Sequence, residues 1–167
     1  DKGFFAPLSK NFTGQQGRAS QTRSLFFNST FAVMGYIAKS DGHVSESEIR
    51  AAREIMQQMG LQGDAKNDAI KHFYYGKSNE FNLHHVLYDL KQACRYRPML
   101  LKSFLDIQNY IAQADGHRTA QKQAALNRVR EELGIPSFNF HGSQGFHQQS
   151  GQRQQYQQYQ QRPYQSQ

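Results

Sequence analysis

The sequence is poor in cysteine, tryptophan and proline. Among 167 residues it has one cysteine, Cys94, no tryptophan and four prolines. A single cysteine cannot form an internal disulfide, so we interpret Cys94 as a core residue of a protein from a reducing compartment. No stretch approaches the roughly 20 apolar residues of a membrane span, and the start lacks a signal-peptide pattern. We therefore expect this chain to be soluble. Because it begins at Asp1 instead of Met, we also expect protein upstream of it.

Acidic residues are scarce in the flanks. The formal charge is +7, but residues 1–24 carry net +3, the last 27 residues carry two arginines and no acid, and residues 25–140 carry only +2. A nearly neutral central segment disfavours a nucleic-acid surface, which would need clustered basic side chains.

Catalytic motifs are also missing. The sequence has no Gly-rich phosphate loop and no nucleophile elbow. None of its seven histidines has zinc-ligand spacing with a cysteine. We therefore expect a binding module that is not an enzyme and that requires no cofactor.

Six segments repeat apolar residues at the three- and four-residue spacing of helices, and none alternates with a period of two. We predict an all-α fold whose short connections favour antiparallel neighbours. The first helix is strongly apolar and ends at Ser40-Asp41-Gly42. The others surround the segments Ile49 to Met59, Ala69 to Phe73, Leu83 to Cys94, Leu100 to Ile111 and Ala125 to Leu133, with Pro136 after the last.

The composition divides the chain into three parts. Residues 1–24 mix Gly, Pro and polar residues without periodicity, so we expect a poorly ordered basic lead-in. Residues 25–140 form the helical domain. Residues 141–167 are rich in Gln and Gly and have too little apolar surface to offset chain entropy, which is typical of a flexible linker.

An internal repeat relates residues 74 positions apart. Tyr36-Ile37-Ala38-Lys39-Ser40-Asp41-Gly42-His43 aligns with Tyr110-Ile111-Ala112-Gln113-Ala114-Asp115-Gly116-His117. The match continues to Gly60-Leu61 and Gly134-Ile135. We predict two pseudosymmetric helix-turn-helix copies that pack together, with the third and fourth helices bridging them.

The first Asp-Gly turn has two interpretations. Its spacing from Asp41 to Glu48 resembles the second half of an EF-hand loop, but Ile37 and Lys39 occupy the first two ligand positions, so it is not an EF-hand. In a structural interpretation, Ser45 and Glu48 form a capping box for the second helix. In a functional one, Asp41, Glu46 and Glu48 form part of a weak divalent-cation or partner site.

The second turn bears on the same question. It keeps Asp115, a further candidate metal ligand, but has Ala120 and Lys122 where the first copy has Glu46 and Glu48. A two-sided metal site would therefore lose half of its acids, and Lys122 would oppose a cation.

The order of these motifs resembles a known family. Phe26-Phe27, Phe31-Ala32-Val33-Met34-Gly35, Lys39-Ser40-Asp41-Gly42, Gly76-Lys77-Ser78 and Glu131-Glu132-Leu133-Gly134-Ile135, followed by a Gln-rich linker, are similar to the TerB-like domain of DjlA-type, DnaJ-like membrane co-chaperones. The resemblance covers about two-thirds of the chain. It implies a TerB-like bundle of about six to seven helices.

The resemblance also implies a function. In that family a membrane helix precedes this region, and a J-domain with a His-Pro-Asp tripeptide follows the linker. The implied protein is a DnaK co-chaperone on the cytoplasmic face of the bacterial inner membrane, whose membrane helix is associated with homodimerisation. This region would recruit an unknown protein partner or regulator in a stress response, and residues 1–24 would be juxtamembrane. The alternative is a divalent-metal-binding, tellurite-resistance-like domain.

Overall fold

Six α-helices make up the regular structure of residues 16–135, the part of the chain that the computed structural model describes. No strand occurs in this part, and the predicted all-α class is confirmed. None of the helices in this range is long and apolar enough to cross a membrane. The helices are α1 (Gln16–Lys39), α2 (Glu46–Gln58), α3 (Gly63–Lys77), α4 (Leu83–Ala93), α5 (Pro98–Ala112) and α6 (Ala120–Leu133).

The start of α1 differs from the sequence pattern. The helix begins at Gln16, whereas the apolar periodicity begins at Leu25. Ala19 is buried, and the Arg23 guanidinium lies 5.3 Å from the centre of the Phe27 ring. Residues 16–24 therefore belong to α1, although they lack the apolar periodicity of the rest of the helix. The expectations for residues 1–15, for Pro136 and for the linker at 141–167 lie outside the described residues.

Helix α1 is the centre of the domain, and all five other helices contact it. The sequence explains this position, because residues 29–35 are all buried and the helix has apolar residues on every side. The largest fully buried apolar side chains come from α1, α2, α4 and α5: Phe26, Phe31, Met34, Ile37, Ile55, Leu87, Leu90, Leu100, Phe104, Ile107 and Ile111.

Helices α1 and α3 approach each other closely at two glycines. A Cβ added at Gly35 would overlap the carbonyl oxygen of Phe73, and one added at Gly76 would overlap the carbonyl oxygen of Ala32. Both positions therefore require glycine, since only its missing side chain lets the two backbones approach so closely.

The helix-turn-helix copies are α1 with α2 and α5 with α6. They pack against each other, because α1 contacts both α5 and α6 and α2 contacts α5. Helix α4 bridges the copies through contacts with α1 and α6, whereas α3 packs mainly on α1. This arrangement brings the two Asp-Gly turns to the same end of the domain.

Candidate functional site

The two turns share their local geometry. Gly42 and Gly116 have φ angles of 103° and 79°, in the left-handed region that favours glycine. Three residues later, Ser45 and Thr119 are the N-caps of α2 and α6. The Ser45 hydroxyl accepts from the Glu48 N–H, and the Thr119 hydroxyl accepts from the Lys122 N–H, both at 3.2 Å. The repeat therefore places positions 48 and 122 equivalently in the first turns of α2 and α6.

The side chain of Lys122 joins the two turns. Its Nζ lies 3.1 Å from Asp41 Oδ2, 3.0 Å from Glu48 Oε1 and 3.0 Å from Asp115 Oδ2. The Lys122 side chain is 1% exposed and the Glu48 side chain 0%. We call these four residues the lysine cluster. It unites two repeat-equivalent pairs, Asp41 with Asp115 and Glu48 with Lys122.

Glu48 has two roles in this cluster. Its Oε2 accepts from the Ser45 N–H at 2.8 Å and from the Ser45 hydroxyl at 3.1 Å, so Ser45 and Glu48 form a capping box. Its Oε1 faces Lys122. One carboxylate therefore both caps α2 and connects that helix to α6.

Attraction between Lys122 and the two aspartates stabilises the charged forms of these residues. Burial raises the pKa of Asp41, but hydrogen bonding to Lys122 and its charge outweigh burial and lower it overall. The hydrogen bond from Lys122 likewise lowers the pKa of Asp115, against the opposing effect of burial. Burial lowers the pKa of Lys122, but hydrogen bonds to Asp115, Glu48 and Asp41 raise it above its ordinary value overall. These pKa shifts favour the charged forms of Asp41, Asp115 and Lys122.

Of the four candidate metal ligands, the structure brings together Asp41, Glu48 and Asp115. Glu46 is exposed, and it forms no ion pair with any residue in the described range. Within residues 16–135 no group of three or more His, Cys, Asp or Glu residues is arranged to hold a metal ion. A divalent cation on these carboxylates stays a prediction, and such a cation would have to displace the Lys122 ammonium.

From the sequence, Lys122 is expected only to oppose a bound cation, whereas the structure places its ammonium between three carboxylates. The signal was present in the repeat, since Glu48 and Lys122 are equivalent residues of opposite charge. When two such copies pack turn to turn, these positions can form an ion pair. The sequence could not reveal that the lysine also reaches both aspartates.

A second feature is an open groove between α2 and α3. These consecutive helices do not pack closely on each other, since each packs mainly on other helices. The groove has a volume of about 710 Å³. Its apolar lining includes Ile49, Ala52, Met56, Leu61, Ile70, Phe73 and Tyr74. A volume of this size is typical of a ligand-binding cleft.

The charged lining of the groove is basic. Arg53, Lys66 and Lys77 contribute to it, and no acidic residue does. The Lys77 ammonium lies 4.7 Å from the centre of the Tyr74 ring, a cation-π contact. Among residues 16–135 none of these three cations has a carboxylate partner, while Asp68 pairs with Lys71, away from the groove. The groove therefore combines an apolar floor with a positive rim whose three cations form no ion pair with the described residues.

Comparison with known proteins gives consistent results. The family described as tellurite resistance protein TerB matches residues 28–144. The chain is 42% identical over 163 residues to the co-chaperone protein DjlA of Coxiella burnetii, covering 97% of this chain and 59% of the relative. It is 40% identical over 124 residues to the DjlA of Shewanella oneidensis, covering 74% of this chain and 47% of the relative.

A third relative is the DjlA of Legionella pneumophila, which is 44% identical over 110 residues, covering 66% of this chain and 37% of the relative. No solved structure gives a significant match. The chain thus spans between 37% and 59% of the length of these three relatives.

Proposed function

The chain belongs to the TerB family and is a TerB-like domain of the DjlA type, and from this premise we propose that it is the partner-binding, regulatory module of a membrane-anchored co-chaperone. In this proposal a DnaK-type chaperone is engaged by a J-domain outside residues 1–167. The whole protein acts at the cytoplasmic face of the bacterial inner membrane, where its membrane helix also allows homodimerisation. The module itself binds another protein.

The contrast between the lysine cluster and the α2–α3 groove supports this proposal. The lysine cluster is closed, since its ammonium already contacts three carboxylates and is 1% exposed. The α2–α3 groove is open and combines apolar lining with three cations that lack carboxylate partners in the described range. Of these two features, the groove is therefore the one able to contact a large partner.

A binding module contributes to a co-chaperone by tethering. If the Gln-rich segment at 141–167 is a flexible linker, it raises the effective concentration of the module's partner near a J-domain that follows it. Specificity then comes from the module and ATPase stimulation from the J-domain. The two activities should be separable by deletion.

The test uses a complete DjlA-type protein that contains this segment. We expect deletion of residues 16–135 to leave stimulation of the DnaK-type ATPase unchanged and to abolish the cellular stress response that depends on the co-chaperone. Steady-state ATP hydrolysis and a reporter of that response are the two measurements. A deletion that lowers ATPase stimulation, or one that preserves the response, contradicts the proposal.

A further inference from the structure

The chemistry of the α2–α3 groove specifies a class of partner. Its lining residues recur along one face of each helix: Ile49, Ala52, Arg53 and Met56 on α2, and Lys66, Ile70, Phe73, Tyr74 and Lys77 on α3. Spacing of this kind makes a continuous surface along both helices. The groove is therefore an elongated site with helical walls and is not a pit around one side chain.

The apolar part of the groove is suited to side-chain anchors. Met56 and Phe73 are buried in its floor, and Ile49 and Ile70 are half-buried. Tyr74 stands at the rim with 63% of its surface exposed. Flexible methionine and aromatic side chains are frequent where a protein accepts the apolar face of a partner helix.

The positive charge of the groove lining indicates which side chains the partner carries on its polar face. The lining has three cations and no acid, so a bound segment gains from carboxylates beside its apolar stripe. The chain's own terminal segments carry net positive charge instead: residues 1–15 contain two lysines and one aspartate, and residues 136–167 contain two arginines and no acid. Charge complementarity therefore disfavours residues 1–15 and 136–167 as the occupant and favours an acidic segment of a partner protein.

We propose that the α2–α3 groove binds an acidic amphipathic helix of a protein partner. Such a helix places apolar anchors at positions i, i+3 or i+4, and i+7 against the floor. Its flanking Asp and Glu residues pair with Arg53, Lys66 and Lys77. This inference rests on the proposed partner-binding function and adds the site and the chemistry of the partner.

The experiment measures binding of the 167-residue chain to a synthetic peptide. The probe is an acetylated, amidated helical peptide with a Leu and Phe stripe at that spacing and Glu at the flanking positions. Two control peptides have the same stripe with Lys replacing each Glu, and the same composition in scrambled order. Fluorescence anisotropy gives the affinity, and amide chemical-shift changes give the location.

A matched pair of charge-reversal variants tests the groove. R53E with K66E reverses two rim cations, while R50E with K71E reverses two exposed cations on the same helices that do not line the groove. Both double variants change the net charge equally. We expect the first pair to weaken binding of the acidic peptide by about tenfold or more, and the second to change it by less than about threefold.

Several results would overturn the inference. One is equal loss of affinity in both double variants, which would indicate general charge attraction. Others are binding no tighter for the acidic peptide than for the Lys or scrambled peptide, and shift changes outside α2 and α3. Concentration-dependent dimerisation that R53E with K66E abolishes would identify a second copy as the occupant. If the peptide fails but deletion of the module still abolishes the cellular response, only this inference falls and the proposed function stands.

Discussion

At the scale of single residues, Lys122 decides how the two turns interact. Three carboxylates that lie close together would repel one another in the folded state, and the Lys122 ammonium within 3.1 Å of each of them removes that repulsion. Because the Lys122 side chain is 1% exposed, water cannot take the place of its ammonium group beside the carboxylates. The residue thereby connects the start of α6 to both aspartate turns and to α2.

Replacing this lysine tests that role. We expect Lys122→Met to lower the free energy of unfolding by about 3–5 kcal/mol near pH 7, since it leaves buried carboxylates without their partner. Denaturant unfolding monitored by circular dichroism measures the change. Arg128→Met serves as the control, because Arg128 is exposed on the same helix. A loss no larger than that of the control would contradict the structural role of the cluster.

The same variant should make stability depend on pH in a range where the wild type does not. In the wild type, the pKa values of Asp41 and Asp115 are lowered and that of Lys122 is raised. Stability from the aspartates is present above their unfolded pKa values and is lost as the pH falls through the folded ones. Stability from Lys122 is present below its unfolded pKa and is lost as the pH rises through the folded one. The contribution of Asp41, Asp115 and Lys122 to the stability of the wild type should therefore stay constant between about pH 5 and pH 7.

Without the ammonium, the folded pKa values of Asp41 and Asp115 lose the lowering effect of Lys122 and rise, because the neighbouring carboxylates then repel one another. We therefore expect Lys122→Met to become more stable as the pH falls from about 7 to about 5, because the folded state then binds more protons than the unfolded state. Thermal unfolding across that range measures the slope of stability against pH.

The predicted cation site has its own test. Millimolar Ca²⁺, Mg²⁺ or Zn²⁺ added in the thermal unfolding assay should raise the unfolding midpoint if the cation binds the native state.

At the scale of secondary-structure elements, the contact of α1 with α3 restricts which residues the two helices can carry. Gly35 faces the backbone of Phe73, and Gly76 faces the backbone of Ala32, with no space for a Cβ at either position. Helix propensity alone would favour alanine at both positions by about 1 kcal/mol. Packing between these two helices therefore opposes the local preference of the chain.

We expect Gly76→Ala to lower the free energy of unfolding by at least about 2 kcal/mol, because the added methyl group forces the two helix backbones apart. Asn67→Ala, at an exposed position of α3, is the control and should be neutral or slightly stabilising. Chemical denaturation of the two variants gives the comparison. A stabilised Gly76→Ala would mean that α1 and α3 separate readily and that the close approach is not required.

At the scale of the whole molecule, we expect partner binding and chaperone stimulation to belong to different segments of the protein. The chain contains no His-Pro-Asp tripeptide, to which the family resemblance assigns chaperone stimulation. We expect the purified 167-residue chain to leave the steady-state ATPase rate of a DnaK-type chaperone unchanged. A J-domain protein added to the same chaperone preparation is the positive control. Acceleration by this chain alone would locate a chaperone-binding surface on these helices.

The sequence by itself determined the helical class, the six elements and the repeat, because these depend on local properties. Apolar spacing identifies a helix face, and the residues from Ser45 to Glu48 suffice to form a helix cap. It also identified four acids as candidate ligands, of which Asp41, Glu48 and Asp115 lie together and Glu46 lies apart. The start of α1 at Gln16 was not apparent, since residues 16–24 lack the sustained apolar periodicity that identifies the other helical segments.

Only the tertiary structure decided which groups meet. Lys122 is 81 positions from Asp41 in the sequence, and their contact follows from how the second copy packs on the first. The α2–α3 groove likewise exists because both helices pack on other elements and leave a space between them. Local periodicity specifies which face of a helix is apolar, but the distance between two faces is set by long-range packing, as it is where Gly35 and Gly76 let α1 and α3 meet.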